Sequence, residues 1–351
     1  MLSERYKFSE TPLLKLNSLQ LKTRDKLNQK VKDNQYKFEN VPCLVCRNKK
    51  DFEIVAEKDR YGLHNHVVVC KNCGLVQTNP RFTQETFNQF YNDEYRPLYE
   101  GEETATDVFF RQQYFRGGII YSLVNRFKEF NQVKNPFVLE VGCAAGGILK
   151  VFKEHGCIVK GIDLGEEYMK YGKEKHQLDL KVGTLESIKL DRKPDLIIYS
   201  NVMEHLTNPI KELDRIKSIL NPEGLLFIEV PGIKNIHINY RCDFLMYLQN
   251  AHTYHFSLTA LKNVFSKAGF VSLFGDEYVR AVAKVAGNSS GKIENDYSSV
   301  MNYLVETEKK RELYPYTIRG IKEVMMKTGL GIADVIGVRS FLRRLRKSFS
   351  K

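Results

Sequence analysis

Val138-Leu-Glu140-Val-Gly142-Cys-Ala-Ala-Gly146-Gly147 stands near the middle of a chain of 351 residues. It opens as a continuous apolar run, as a strand buried on both faces does. An acid follows at Glu140, then a glycine-rich turn, and Ile148 to His155 then reads as a helix. A strand ending in an acid and a glycine turn lets backbone approach a ligand closely, with helix N–H groups aimed at it. The next apolar run, Ile158-Val-Lys-Gly-Ile-Asp163, ends in a second acid 23 residues after Glu140. A carboxylate there is placed to accept hydrogen bonds from the two hydroxyls of a ribose. The pattern points to a nucleoside-containing ligand.

A dinucleotide fingerprint reads Gly-x-Gly-x-x-Gly, and this turn does not align to it. Here the acid precedes the first glycine by two positions, and Gly142 and Gly146 are four apart. The stretch resembles motif I of the class I S-adenosylmethionine-dependent methyltransferases, Glu/Asp-x-Gly-x-Gly-x-Gly, with Ala144 at the middle glycine. The resemblance implies S-adenosyl-L-methionine as cofactor, held by Glu140, Gly142, Ala144 and Gly146, with Asp163 on the ribose and Leu164 beside it.

The parts downstream keep the family's order. Leu180 to Glu186 is a short strand and turn, and the resemblance sets Thr184 and Leu185 at the adenine. Pro194 to Asn201 is a buried strand with a polar end, and Asn201 is assigned to the cofactor on the same ground. Asn208-Pro209 opens a helix with apolar residues at 210, 213, 216, 219 and 220, a 3.6-residue stripe. A strand (225–231), a helix (256–268) ended by Gly269, and two strands (270–276 and 278–286) complete the set. The expected fold is α/β: a seven-stranded Rossmann-like methyltransferase sheet, mostly parallel with an antiparallel last strand. A small N-terminal zinc ribbon and a helical C-terminal extension flank it.

Four of the seven cysteines form Cys43-x-x-Cys46 and Cys70-x-x-Cys73, with 23 residues between the pairs. That is the spacing of a tetrahedral four-cysteine zinc ribbon. Four thiolates fill the shell of the ion, so the zinc is expected to be structural, and so small a module folds only with its metal. His64 and His66 read as loop histidines, and Cys143, Cys157 and Cys242 as small packing residues. The phrase from Cys70 through Cys73-Gly-Leu-Val-Gln-Thr-Asn-Pro-Arg81 resembles the ribbon ahead of bacterial methyltransferases of sugar and surface-polysaccharide pathways.

The resulting division is a basic helical lead-in (1–40), with stripes at Leu13, Leu16, Leu19 and at Leu27, Val31; the ribbon (41–82); a helical lid or linker (83–135); the methyltransferase core (136–286); and a helical extension (287–351). Hydrophobic content of 42% and charged content of 27% are those of a globular protein, and no apolar run reaches 18 residues. The first residues lack the apolar stretch of a secretory signal, so a cytoplasmic location is expected, where cysteines serve metal rather than disulfides.

The net charge is +12. Residues 335–351 hold six basic residues and no acid, half of that excess, with apolar positions 335, 338, 342, 345 and 349 on one helical face. Such a segment suits peripheral contact with an anionic membrane surface at the inner face, or packing against the body of the protein. No basic stripe interleaved with exposed aromatics is present, so nucleic acid is the less favoured partner.

Methyl transfer is an in-line displacement that needs alignment and removal of a proton from the acceptor. Two histidine regions are candidates for the base: Glu204-His205 after the fourth strand, and His252-Thr-Tyr254-His255-Phe-Ser ahead of the penultimate strand. Histidine suits this role because its ordinary pKa lies near neutrality. Tyr254 and Glu204 are the remaining candidates. Related enzymes that hold a divalent ion use Glu-x-x-Glu-His; here Asn201 replaces the first acid, which disfavours a metal. The leading reading is a methyltransferase acting on a sugar hydroxyl or sugar carbon of a nucleotide-linked sugar or glycan. A ribosomal or transfer RNA methyltransferase, and a non-catalytic cofactor-binding scaffold, stand as alternatives. Acceptor atom and oligomeric state are left open.

Overall fold

A computed structural model describes residues 1–101, 104–286, 291–317 and 320; the basic segment 335–351 lies outside them. The run quoted above is strand β1 (Phe137–Val141), buried at every position. It is flanked in parallel by β2 (Ile158–Asp163) and β4 (Leu196–Ser200). With β3 (Leu180–Val182), β5 (Leu225–Glu229), β6 (Phe270–Gly275) and β7 (Arg280–Val285), the sheet order is β3-β2-β1-β4-β5-β7-β6. Only β7 is reversed, pairing antiparallel with both neighbours. This is the seven-stranded, mostly parallel architecture that the sequence predicts.

The pleat sends alternate residues to opposite faces. Ile197 and Tyr199 pack with α4 (Pro209–Ile219) and α5 (Leu258–Ala268), while Leu196 and Ile198 pack with α1 (Asp107–Val124) and α2 (Gly147–Glu154); α3 (Glu166–His176) follows β2. Local signals fix the helix ends. Thr106, Asn208 and Ser257 accept from the N–H of Phe109, Lys211 and Ala260, and Gly269 ends α5 at φ +77. Gly117 lets α1 approach α2, since a Cβ there would lie 2.9 Å from Ile148 Cα.

The ribbon is joined to this core. Strands Phe52–Lys58, His64–Cys70 and Val76–Thr78 form an antiparallel sheet whose fourth strand is Tyr254–His255, contributed by the core. His64 and His66 therefore lie on a strand rather than in a loop: His64 stacks on Phe8 at 3.5 Å, and His66 Nδ1 bonds Asn79 O at 2.7 Å. Cys43, Cys70, Cys73 and Leu75 share one hydrophobic cluster with Leu139, Ile197 and Tyr254.

In the lead-in, a single 3-10 turn at Glu4–Tyr6 precedes the α-helix Ser18–Lys32; Asn17 and Gln20 cap that helix reciprocally, which leaves Leu13 and Leu16 outside the expected stripe. Tyr6 is fully buried with Val300 and Leu304 of α6 (Tyr297–Arg311), a burial worth about 2 kcal/mol. Arg5 pairs with Asp243 at 2.9 Å. The two ends of the described chain thus pack against each other across the expected boundaries at 40 and 286. Among the described residues no helix is long and apolar enough to cross a membrane.

Candidate active site and cysteine cluster

The turn after β1 is held in left-handed backbone at Gly142, Ala144 and Gly146, with φ +75, +45 and +77. At Gly142 a Cβ would come within 2.3 Å of Val202 Cγ2, and with the left-handed backbone this favours glycine. Ala144 occupies its strained position because its N–H donates to Asp163 Oδ2 at 2.8 Å. Asp163 Oδ1 accepts from Gly165 N–H at 2.7 Å. The acid expected at the ribose therefore also ties the glycine turn to the end of β2. Glu140 is buried with Oε2 unpartnered; burial first, then the Asp163 charge, raises its pKa well above the carboxylate range. A cationic ligand group would relieve both acids, and the ammonium and sulfonium of S-adenosylmethionine have that charge, so the residues present fit this cofactor.

Leu164 and Thr184 are exposed beside Asp163, open to a bound nucleoside, and Gly183 N–H donates to Asp163 O at 3.0 Å. The Leu185 side chain, beside Thr184, is buried in the main core. Asn201 is exposed at φ +55 and its N–H bonds Glu229 O at 2.8 Å. Three groups escaped the sequence reading. Gln113 of α1 accepts from Gly147 N–H at 3.3 Å and donates to Cys143 O at 3.2 Å, pinning the start of α2. Arg96, on the short helix Tyr95–Tyr99, lies 3.7 Å from Asp163 and 4.2 Å over the Tyr168 ring. Arg116 reaches Glu229 at 3.8 Å at the end of β5. Polar residues on helices far away in sequence gave no periodic signal by which to find them.

Beyond β4 the chain makes the tight turn Met203–His205. Glu204 is 2% exposed, neither carboxylate oxygen has a hydrogen-bond partner among the described residues, and burial pushes its pKa up to about 8. His205 Nδ1 donates to Ala251 O at 3.1 Å, which leaves Nε2 as the lone-pair nitrogen, 3.9 Å from Glu204 Oε1. Burial lowers the His205 pKa to about 4. His252 completes the group: its ring centroid is 4.9 Å from that of His205 and its Nδ1 is unpartnered. The rings of Tyr91 and Tyr95 meet His205 edge-on at 6.0 and 5.7 Å, and Tyr91 Oη is also unpartnered.

His255 and Tyr254 fare differently as bases. They point to opposite sides of one short strand. Tyr254 Oη bonds Thr207 O at 3.2 Å and receives Arg81 Nη1 at 3.1 Å, so its hydroxyl is committed to holding the ribbon exit. His255 is 1% exposed, neither ring nitrogen is partnered, and burial lowers its pKa to about 3. The strand pairs it with Val76 of the ribbon, and it stands behind His252, with ring centroids 5.9 Å apart. A neutral histidine held this way binds fewer protons than the unfolded chain, so its share of stability is present above pH ~6.5 and is lost as pH falls toward 3. His255→Phe is therefore expected to raise the thermal midpoint relative to wild type more at pH 5 than at pH 7.5, read by calorimetry. An equal change at both pH values would show that the ring has a partner for its charged form.

At the other end of the same sheet, Cys43 and Cys73 bring Sγ atoms to 3.4 Å, as do Cys46 and Cys70, and all four lie within 4.8 Å of one another. Four sulfurs ~2.3 Å from one zinc stand about 3.8 Å apart, so this cluster fits the ion with small adjustments. Backbone hydrogen bonds connect it to the Glu204–His205 turn. Cys70 N–H bonds Leu75 O at 2.9 Å, Thr78 N–H bonds Thr253 O at 2.9 Å, and Thr253 N–H bonds Glu204 O at 2.8 Å.

Residues 111–273 match a protein-family profile described as a methyltransferase domain. The chain is 28% identical over 103 residues to a ubiquinone biosynthesis O-methyltransferase of Haemophilus ducreyi, covering 26% of this chain and 43% of that protein. It is 29% identical over 101 residues to the enzyme of the same name from Coxiella burnetii, covering 27% and 43%. The chain thus spans under half the length of these curated relatives. An S-adenosylmethionine-dependent methyltransferase structure from Clostridium acetobutylicum overlays with a TM-score of 0.39 at 13% identity, over 57% of this chain and 99% of that one. With the sheet order, the glycine turn and the two strand-end acids in place, residues 111–273 form a methyltransferase domain.

Proposed function

We propose that the protein transfers a methyl group from S-adenosyl-L-methionine to a hydroxyl oxygen of a small acceptor, with the sugar unit of a nucleotide-linked sugar or surface glycan as the acceptor class. The observation that carries this reading is the convergence of unpartnered buried atoms past the end of β4: both Glu204 oxygens, His252 Nδ1 and Tyr91 Oη. Folding alone does not explain so many unmet polar groups in one place, since each costs roughly 1–3 kcal/mol. An acceptor rich in hydroxyls would satisfy them.

When bound, the cofactor supplies a methyl group already activated by its sulfonium. Asp163 holds the ribose, Glu140 faces the ammonium, and Arg96 closes over the ribose side. Glu204 with His205 takes the proton of the acceptor hydroxyl as its oxygen advances on the methyl carbon, and the surrounding tyrosines keep water out. The four cysteines hold a structural zinc that fixes the sheet edge supporting the chamber. A phenolic acceptor is the second reading, favoured by the tyrosine-lined walls and by relatives whose names specify O-methylation.

Two measurements test the proposal. Asp163→Ala removes the ribose contact and loosens the turn at Ala144, so calorimetry should show cofactor affinity about thirty-fold weaker, equivalent to ~2 kcal/mol. Unchanged affinity would remove the cofactor assignment. Incubation with radiolabelled cofactor over nucleotide sugars, simple phenols and RNA should label the sugars. Labelling of phenols alone selects the second reading, and labelling of RNA alone overturns both.

A further inference from the structure

We propose that Arg60 and Asn250 form an oxyanion-binding subsite beside the Glu204–His205 turn, and that the methyl acceptor therefore carries a phosphate or a carboxylate. The proposal deepens the methyltransferase reading and rests on it for the use of the subsite, but not for its existence.

Arg60 lies in the turn between two ribbon strands, Phe52–Lys58 and His64–Cys70. Two hydrogen bonds hold that turn against the segment leading to His252. Arg60 N–H donates to Leu248 O at 3.3 Å, and Asn250 N–H donates to Asp59 Oδ2 at 2.9 Å. The residue after Asn250 is Ala251, whose carbonyl accepts from His205 Nδ1 at 3.1 Å. The ribbon turn and the proposed base thus grip neighbouring residues of one segment. The charges agree with this placement. Burial and the neighbouring histidines lower the His252 pKa, and the Arg60 charge lowers it further. The Tyr240 hydroxyl, raised first by burial, is lowered by Arg60 and raised by Glu204, so it stands within reach of both.

Two donors in this corner are unused. Arg60 Nη1 donates to Met246 O at 3.0 Å, while Nε is buried without a partner. The edge of a guanidinium that carries Nε is one of the forks that receive a carboxylate or phosphate through two parallel bonds. The neighbouring acid does not fill it. Asp59 Oδ1 accepts from the N–H groups of Tyr61 and Leu63 at 2.8 and 3.0 Å, and Oδ2 accepts from Asn250, so its charge faces backbone donors. The Tyr61 hydroxyl, raised first by burial and lowered by the guanidinium beside it, is neutral and leaves that charge uncompensated. Asn250 is 5% exposed; its Oδ1 accepts from the Tyr99 hydroxyl, and its Nδ2 is unpartnered. A buried donor left unmet costs roughly 1–3 kcal/mol, more beside a charge. A sugar hydroxyl would satisfy the amide and leave the guanidinium without a counter-charge. An oxyanion satisfies both. The phosphate of a nucleotide-linked sugar and the carboxylate of a uronic acid have that chemistry, whereas a neutral glycan or a simple phenol does not.

The test titrates full-length protein, in the presence of S-adenosylhomocysteine, with inorganic pyrophosphate and separately with glucuronate, followed by calorimetry. At least one of the two should bind with one-to-one stoichiometry. Pyrophosphate alone identifies a phosphate-bearing acceptor, and glucuronate alone a carboxylate-bearing one. Arg60→Met should weaken that binding by about thirty-fold or more, and Arg60→Lys should restore only part of it, because a point charge lacks the fork. Asn250→Asp keeps the oxygen that Tyr99 uses and removes the Nδ2 donor, so it should also weaken binding. Affinity for S-adenosylhomocysteine should change by no more than about two-fold in each. Thermal melts establish which variants are folded, and Arg60→Lys with Asn250→Asp carries the test if Arg60→Met is not. Binding of neither anion to wild type, or wild-type affinity in the folded variants, overturns the inference. Binding of S-adenosylhomocysteine without either anion refutes the subsite alone; anion binding without S-adenosylhomocysteine binding refutes the methyltransferase reading and leaves the subsite standing.

Discussion

Cys46→Ser is expected to abolish the proposed structural zinc and, with it, the order of the Glu204–His205 turn, although that turn lies at the far end of the ribbon sheet. Structural zinc sites of this type supply about 10–16 kcal/mol of apparent binding energy that appears as folding energy. Serine is a poor ligand for zinc, and the cluster it leaves sits in the same hydrophobic core as Leu139 and Ile197. A loss of only ~4 kcal/mol would lower the unfolding midpoint by roughly 5 °C in a protein of this size. The effect should propagate along one path: from Cys70 through Leu75 and Val76–Thr78 to Thr253, and from Thr253 to Glu204. Native mass spectrometry should find wild type with zinc and the variant without it, and hydrogen exchange at Tyr254 and His255 should become fast while β1 stays protected. A metal-free preparation with a wild-type melting point would sink the ribbon reading.

Glu204→Gln is expected to lower turnover by about a hundred-fold or more with cofactor affinity unchanged. Gln keeps the shape of the buried side chain and removes its charge, so packing around Met203 and Tyr91 is preserved. Glu204 lies on the turn past the end of β4, whereas Glu140, Gly142 and Asp163, proposed to hold the cofactor, sit at the ends of β1 and β2. The loss should therefore fall on kcat rather than on cofactor binding. His205→Ala should show a loss of the same order, and His255→Phe should retain most of the activity because its ring stands behind His252. Near-normal turnover in both Glu204→Gln and His205→Ala would mean that transfer proceeds by alignment alone.

The central sheet was legible because its inner parallel strands β1, β4 and β5 are short, buried, mostly apolar runs closed by turns. The cysteine pairs were legible for a related reason: two ligands on one tight turn fix their own spacing. The candidate base was less legible. Both histidine segments sit where a base belongs, and sequence spacing does not tell which side of a two-residue strand faces the ligand. His255 and Tyr254 pair with the ribbon sheet, and His252, three residues before His255, lies beside Glu204. Arg96 and Gln113 went unseen because each acts through one long-range contact, to Asp163 and to the α2 start, that no local pattern encodes.

By itself, then, the sequence determined the set of strands along the chain, the glycine turn, the two strand-end acids and the two cysteine pairs, each of them a pattern within a few consecutive residues. Tertiary structure decided what the ribbon is for. A fourth strand from the core completes its sheet, and that pairing sets His252 against the Glu204–His205 turn. Hydrogen bonds between segments nearly two hundred residues apart make this arrangement. Their cost in chain entropy is met by packing of the whole fold, and no stretch of the chain read alone contains it.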